Sequence, residues 1–328
     1  MRNVLLSLRK HRINKHSILK LCLSASLLLF AVSCRTVPQN ADMESSAALL
    51  PEGSDVIIRA DLEKNLELIE PVLALFSNLP PELTGEFLER TETLWAGLDF
   101  DTRAPTDDSW MPSPTFNSSI VARGDFPDSI IEWGLCWDAG WKKENYKPIP
   151  EENMRLPYWY EKEGVNQISV PNDNYLFASS GSIEEMIGNW SSQTQRSVSR
   201  EWIESEQTAD VSIMTRNLSQ EDYGLFIPQF KRVPLESLIL SLVRADDEYL
   251  ISGRFHMDSE VSAFLFATLF RTMVISAKDE NGVKLFENPR DISIKKDGSD
   301  VVLDGMLLPA ANVAAVEAGW LSTAGLKQ

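Results

Sequence analysis

Residues 250–276 read LISGRFHMDSEVSAFLFATLFRTMVIS and contain the clearest change of periodicity in the chain. The first part alternates apolar and polar residues, which is typical of a strand with one buried face. Asp258 and Ser259 then favour a helix start, because their short side chains accept hydrogen bonds from the free N–H groups of a first turn. The next stretch, Val261–Ile275, has Arg271 as its only charge. We therefore predict a strand that leads directly into an apolar helix.

An earlier passage has the same order of features. It consists of a strand at Ser118–Arg123, the pair Asp128-Ser129 and a helix predicted to run to about Lys143. In both passages short strands joined by tight turns follow the helix, at 158–178 and at 292–307. The pattern predicts an α+β protein of two tandem repeats, each an antiparallel sheet with helices packed on one face.

Two more helices are predicted ahead of the first passage. One begins after Asp61, carries apolar residues at a 4-3-4-3 spacing and has Pro71 inside it, which favours a kink or a later start. The other runs from Glu82 to Trp95, with Gly97 as its C-terminal cap.

The first 33 residues have the composition of an export signal. They carry six Lys or Arg, no Asp or Glu, and the apolar stretch Leu21–Val32 directly before Ser33 and Cys34. This stretch has the length of the apolar region of a signal peptide and is too short to cross a bilayer core. With Ala31-Val32-Ser33-Cys34 as a lipobox, the segment resembles the signal peptide of a bacterial lipoprotein.

The resemblance implies that Cys34 carries fatty acyl chains of the palmitate type and becomes the mature N-terminus. Two or three chains, at ~0.8 kcal/mol per buried methylene, make such an anchor permanent. Arg35 stands where enteric lipoproteins retained in the inner membrane carry Asp, which favours the outer membrane, with the body in the periplasm or at the cell surface. The alternative is an ordinary secretory signal, in which case Cys34 carries no lipid.

The predicted domain organisation follows from these features and from the polar stretches between them. It comprises a lipoprotein signal peptide at 1–33, a lipidated N-terminus and flexible tether at 34–53, a first α+β module at 54–192, a linker at 193–207 and a second α+β module at 208–328.

The charge of the mature chain excludes one class of partner. Removing residues 1–33 lowers Lys plus Arg from 31 to 25 against 48 Asp plus Glu, so the net charge becomes −23. Nucleic acid is excluded as a partner, because its binding depends on basic side chains that neutralise phosphates. The expected partners are the membrane, through the N-terminal lipid, and an envelope protein.

Few residues of the types that catalysis needs remain in the mature chain. His256 is its one histidine, and Cys136 is its one cysteine besides Cys34. A Cys–His or Ser–His pair would have to use His256, and zinc sites built from His and Cys are excluded by number. Cys136 is expected to be buried and inert. The sequence therefore favours a non-catalytic protein over an enzyme, with no catalytic residue, metal site or cofactor.

Two sets of aromatic residues are candidates for a binding surface. The first set is spaced i, i+4, i+8 along a predicted helix, and the second lies on the apolar helix: Trp133, Trp137 and Trp141, then Phe264, Phe266 and Phe270. Core packing is favoured for both sets, and a binding surface is the alternative. If the apolar helix is not core, it meets a membrane, a hydrophobic ligand or a second subunit.

Three functional hypotheses remain at this point. The leading one is a lipid-anchored, non-catalytic cell-envelope protein that acts in binding or envelope assembly. The second is a carrier of a lipid or other hydrophobic ligand, held between the apolar helix and its sheet, and the third is an envelope hydrolase. An enclosed apolar cavity would favour the carrier, whereas a contiguous exposed apolar patch would favour the binding protein.

Overall fold

The computed structural model describes the greater part of the chain from Ser45 onward. The described residues are 45–76, 87–101, 115–137, 140–146, 156–161, 166–181, 183–192, 198–216, 218, 233–277, 284, 286, 289 and 292–313. The predicted signal peptide, the lipobox and residues 34–44 of the predicted tether lie outside them.

The described residues contain twelve strands and five α-helices of nine or more residues. The strands are β1 Val56–Asp61, β2 Thr91–Asp101, β3 Thr115–Gly124, β4 Trp141–Asn145, β5 Pro157–Glu161, β6 Gln167–Asn172, β7 Tyr175–Ser179, β8 Val211–Arg216, β9 Leu235–Ala245, β10 Glu248–Met257, β11 Ser293–Asp297 and β12 Asp300–Pro309. The helices are α1 Leu62–Phe76, α2 Asp128–Trp137, α3 Ile183–Ser191, α4 Arg200–Thr208 and α5 Glu260–Ser276, and a 3-10 turn spans Ser46–Leu49.

All twelve strands belong to one sheet. Its order is β11-β12-β10-β9-β8-β1-β2-β3-β7-β6-β5-β4, and every neighbouring pair is antiparallel. The class of fold, mixed helix and strand around an antiparallel sheet, is therefore as predicted. The prediction of a separate sheet for each module is wrong, because β1 of the first module pairs with β8 of the second.

Helices cover both faces of the sheet, not one face as predicted. Successive side chains of a strand point to opposite faces of the sheet, so neighbouring residues of β8 contact the helices on the two faces. Val211 belongs to the apolar cluster that also contains residues of α1 and α5, whereas Ser212 accepts a hydrogen bond from Ser205 of α4 at 2.9 Å. The layer with α1 and α5 is called the α5 layer below, and the opposite one the α4 layer.

Strand β2 replaces the last five residues of the helix predicted over 82–95, and residues 82–86 lie outside the described residues. Residues 87–90 are helical, but Thr91–Asp101 is a strand. Leu94 joins the cluster of the α5 layer, whereas the indole N–H of Trp95 bonds Glu206 of α4. A strand covered on both faces is apolar at successive positions, and periodicity alone does not separate such a run from a buried helix.

The predicted linker and tether also contain ordered structure. Ser199 caps α4 by accepting a hydrogen bond from the N–H of Trp202 at 3.2 Å, and the Trp202 side chain is fully buried. Residues 45–50, within the predicted tether, are buried as well. Trp202 is the one fully buried large side chain of α4, and the polar composition of the stretch did not predict that it packs against the sheet. The division into domains itself stays a prediction.

The two outermost strands of the sheet each present a pair of lysines. They are Lys142-Lys143 on β4 and Lys295-Lys296 on β11, and all four residues are exposed. An outer strand has unpaired backbone groups that recruit other chains, and charged side chains oppose this pairing. The composition of β4 and β11 therefore protects the open ends of the sheet.

Candidate binding surface on helix α5

Helix α5 begins as the sequence predicts. The side chain of Ser259 accepts a hydrogen bond from the N–H of Ser262 at 3.2 Å, directly after strand β10 ends at Met257. This fixed start sets the rotation of the helix, because each later residue follows at about 100°. The start at Ser259 therefore determines which apolar residues of α5 face the sheet.

The inner face of α5 is packed against strand β10. The Phe266 ring lies 5.2 Å from that of Phe255 on β10 and 5.5 Å from that of Phe270, measured between centroids. Phe255 and Phe270 are 5.4 Å apart in an edge-to-face arrangement. These three rings pack against one another between this part of the helix and the sheet.

The outer face of α5 exposes five large apolar side chains. We call this group the α5 surface; it consists of Val261, Phe264, Leu265, Leu269 and Ile275. Positions three and four apart lie on the same side of a helix, so these residues form one strip. Phe264 is 60% exposed, whereas Phe266, two positions on, is 2% exposed. The residues between them on this face, Thr268 and Thr272, are uncharged.

The charged residues at the border of the α5 surface are already engaged. Arg271 donates from Nε to the carbonyl oxygen of Ile294 on β11 at 3.1 Å. Glu260 accepts a hydrogen bond from Lys296 at 2.7 Å, and this bond lowers the pKa of Glu260. The strip itself carries no charge, although the chain has a net charge of −17.

The five predicted surface residues whose side chains the structure describes do not form one surface. Of the three phenylalanines, only Phe264 is exposed; Phe266 is in the core and Phe270 is half-buried against it. Trp133 on α2 is 62% exposed. Trp141 is not on that helix, because α2 ends at Trp137 and Trp141 begins β4, paired with β5. The placement of the Trp137 side chain lies outside the described residues.

Cys136 differs from its prediction as well. It is a free and exposed cysteine, where burial was expected. Helix α2 contacts the core through Ile131. Cys136 does not share that contact, so the apolar residues next to it in the sequence did not make it buried.

Four members of the α5 surface were missed because the sequence argument selected aromatic side chains. Val261, Leu265, Leu269 and Ile275 are aliphatic, yet with Phe264 they stand at i, i+3, i+4, i+8 and i+14 from Val261, which places all five on one side of a helix. That spacing was the available signal. A helix that is apolar around its circumference does not reveal which side faces the sheet.

His256 lies in an ion-pair cluster on the side of β10 opposite α5. Its Nδ1 is 2.6 Å from Asp300 of β12, and its Nε2 is 3.3 Å from Glu236 of β9. Arg254 also bonds Asp300, at 2.5 Å. Both ring nitrogens therefore face carboxylates, which is an arrangement that ties three strands together. Within the described ranges, no group of three or more His, Cys, Asp or Glu is arranged to hold a metal ion.

The Asp300 cluster makes stability depend on pH. Burial alone would raise the pKa of Asp300, but the hydrogen bonds and charges of His256 and Arg254 outweigh it and lower that pKa. A lowered carboxylate pKa contributes stability above the unfolded value of about 3.9, and the contribution is lost as the pH falls through the folded value.

We expect Asp300→Asn to lower the melting temperature by about 2–5 °C at pH 7, because two charge-assisted bonds are lost. The difference from the wild type should shrink as the pH is lowered below about 4. Thermal unfolding at several pH values measures this difference in melting temperature. Asp304→Asn, at an exposed position of the same strand, is the control. Equal effects of the two variants at pH 7 would contradict the assignment.

Among the described residues, no helix has both the length and the apolarity needed to cross a membrane.

Comparisons with known proteins give a fold and no function. No protein-family model matches the chain, and no curated protein matches it either. Two solved structures of TP0453 are similar. Crystal form I has a TM-score of 0.57 at 14% identity, over 84% of this chain and 97% of that one. Crystal form III has a TM-score of 0.56 at 14% identity, over 83% and 97%. At this level of identity the likeness shows a shared fold alone.

Proposed function

We propose that the protein is a lipid-anchored, non-catalytic protein of the cell envelope that binds an envelope protein partner through the α5 surface. The observation that carries the proposal is the strip of five exposed, large apolar side chains on one uncharged helix face. Apolar patches of this kind on a folded domain are typical of interaction sites.

The anchor in this proposal is the acylated Cys34. Its support is the lipobox Ala31-Val32-Ser33-Cys34 behind a basic and apolar N-terminus. We place the anchor in the outer membrane, with the body in the periplasm or at the cell surface, on the identity of Arg35.

The binding hypothesis is better supported than the carrier hypothesis. A carrier would hold its ligand between α5 and the sheet, but Phe255, Phe266 and Phe270 pack against one another in that place. The apolar surface that remains is on the outside of the helix, where it suits a partner that covers it. The envelope hydrolase remains third.

The order of strands supports the proposal that the chain contains a duplicated unit. From the central pair outward, one half runs β1-β2-β3-β7-β6 and the other β8-β9-β10-β12-β11. In each half a helix follows the third strand, α2 after β3 and α5 after β10, and a hairpin then returns to that strand. The half with α2 inserts β4 and β5 before its hairpin.

Site-specific crosslinking in cells tests the binding function. A photoreactive amino acid at Leu265 should give a product of one defined mass, because the partner covers this position. The same amino acid at Gln207, an exposed position on α4, is the matched control and should not give that product. Adding Phe264→Asp to the Leu265 probe should abolish the product, since a buried charge disfavours an apolar contact.

Two results would contradict the proposed function. One is the same pattern of products from Leu265 and Gln207, which would mean random encounter. The other is a Leu265 product that survives Phe264→Asp unchanged. The melting temperature of the Phe264→Asp body should stay within about 2 °C of the wild type, which separates loss of binding from loss of folding.

A further inference from the structure

The segment Ser45–Leu50 is seated in the α4 layer without joining the sheet. All six residues are buried, with exposed fractions from 0% to 7%. Their only regular structure is the 3-10 turn, with one hydrogen bond from the N–H of Ala48 to the carbonyl of Ser45 and one from Leu50 to Ala47, both 3.2 Å long. Ser45–Leu50 is therefore a short buried segment that is not a strand of the sheet, and in this respect it is similar to a bound peptide.

Side chains from α3, α4 and β7 hold the segment by its polar groups. The amide of Asn189 on α3 donates to the carbonyls of Leu49 and Leu50. The indole N–H of Trp202 donates to the hydroxyl of Ser45, and the phenol of Tyr175 contacts the hydroxyl of Ser46. The distances are Asn189 Nδ2 to Leu49 O 3.4 Å and to Leu50 O 3.3 Å, Trp202 Nε1 to Ser45 Oγ 3.4 Å, and Tyr175 Oη to Ser46 Oγ 3.4 Å. Contacts to successive main-chain carbonyls recognise a peptide backbone, whatever chain supplies it.

Leu49 and Leu50 fill the apolar part of the groove that these side chains of α3, α4 and β7 form. Leu49 and Leu50 are 1% and 0% exposed, and neither belongs to the apolar cluster of the α5 layer. Leu50 lies over Gly97 of β2, where even a Cβ would come within 3.5 Å of its Cδ1. The small residues Ser46, Ala47 and Ala48 precede them. The groove therefore fits a stretch of small residues followed by two adjacent leucines.

We propose that the groove between α3 and α4 is a binding site for a short apolar peptide, which the chain occupies with its own Ser45–Leu50, and that release of this segment lengthens the membrane tether. The second part rests on the proposed acylation of Cys34. With the segment seated, the chain between Cys34 and the folded body spans at most about 40 Å. With the segment released as far as Asp55, the limit is roughly 75 Å. A partner that presents a similar peptide would thereby double the reach of the body.

A cleavable variant tests the groove. A specific protease site is inserted between Glu52 and Gly53, both exposed in the turn that follows the segment, in the non-lipidated body Arg35–Gln328. After cleavage, the N-terminal fragment should remain bound and co-elute with the body. A synthetic peptide of residues 44–52 in roughly 100-fold excess over its Kd should replace it, and should raise the melting temperature of the cleaved body by about 5 °C over that of the diluted sample. The same peptide with Leu49→Asp and Leu50→Asp should do neither.

Either of two other outcomes would contradict the proposed peptide site. Immediate loss of the fragment, with a melting temperature that the peptide does not change, would mean that there is no site. A fragment that no excess of peptide exchanges, or a body that aggregates once the fragment has left, would mean that Ser45–Leu50 is permanent core.

The lipidated protein on phosphatidylcholine vesicles tests the link to the tether. After cleavage the body should stay on the vesicles through the seated segment alone, and the peptide of residues 44–52 should release it. If the cleaved body leaves without peptide, the seated segment does not connect it to the anchor. If the uncleaved protein does not bind vesicles, acylation fails, and the exchange results on the soluble body still decide the groove.

Discussion

Replacement of Cys34 by alanine should move the protein from the membrane fraction almost entirely into the soluble exported fraction. The lipobox resemblance makes Cys34 the one residue that receives acyl chains, and two or three chains give an anchor that washing does not remove. The effect should approach all-or-none, because the −23 net charge of the mature body opposes residual binding to anionic lipid. Fractionation followed by an alkaline wash of the membranes measures it.

Cys136→Ala is the matched control for this experiment, since it removes the other cysteine of the mature chain. It should leave the protein in the membrane fraction, and mass spectrometry of the intact protein should show the acyl mass for this variant and not for Cys34→Ala. A Cys34→Ala protein that stays with the membranes through the alkaline wash would show that something other than lipid anchors it.

Phe266→Ala should lower the free energy of unfolding by about 3–5 kcal/mol, which is typical of the removal of a fully buried phenylalanine. Phe266 is 2% exposed, and its ring lies within 5.5 Å of both Phe255 and Phe270, centroid to centroid, so truncation leaves a cavity among aromatic neighbours. Chemical denaturation of the non-lipidated body measures the change.

Phe264→Ala provides a control in the same helix and with the same chemistry. Because Phe264 is 60% exposed, its removal should change the free energy of unfolding by no more than about 0.5 kcal/mol. Similar losses from Phe264→Ala and Phe266→Ala would mean that the rotation of α5 is wrong, and with it the assignment of the α5 surface.

The parts of the fold that the sequence predicted are those where a local signal and the tertiary environment agree. Strand β10, the cap at Ser259 and helix α5 up to Ser276 are examples, because one face of that strand is buried and the cap needs no distant partner. The turn at Gly298, with a φ of 61°, is another, since glycine adopts such a positive φ at little cost.

The parts that could not be predicted depend on distant residues. Strand β2 has an apolar run that fits a helix equally well, and only pairing with β1 and β3 selects the strand. Trp141 is drawn out of the helical pattern by the pairing of β4 with β5. Helix α4 depends on contacts of Trp202 and Ser205 with residues outside the helix.

The same limit applies to the binding surface. The sequence identified the apolar helix and left its environment open, and it selected Phe264, Phe266 and Phe270 together. Their separation into exposed, buried and half-buried positions follows from where the sheet lies, which is not encoded within the helix. The seated segment Ser45–Leu50 was unpredictable for a similar reason, since its contacts come from residues far along the chain.

The pairing of β1 with β8 at the centre of the sheet has a consequence for how the molecule is made. Val56 of β1 pairs with Thr215 of β8, so the middle of the sheet cannot close until the chain has been synthesised at least as far as β8. Contacts between such distant positions carry a large loop-closure entropy and slow folding. Until β8 is available, the edge of β1 that pairs with β8 in the folded protein has no partner strand. Aggregation of the first half in that interval depends on how quickly the second half follows, so the rate of chain synthesis, and not only equilibrium stability, should govern the yield of native protein.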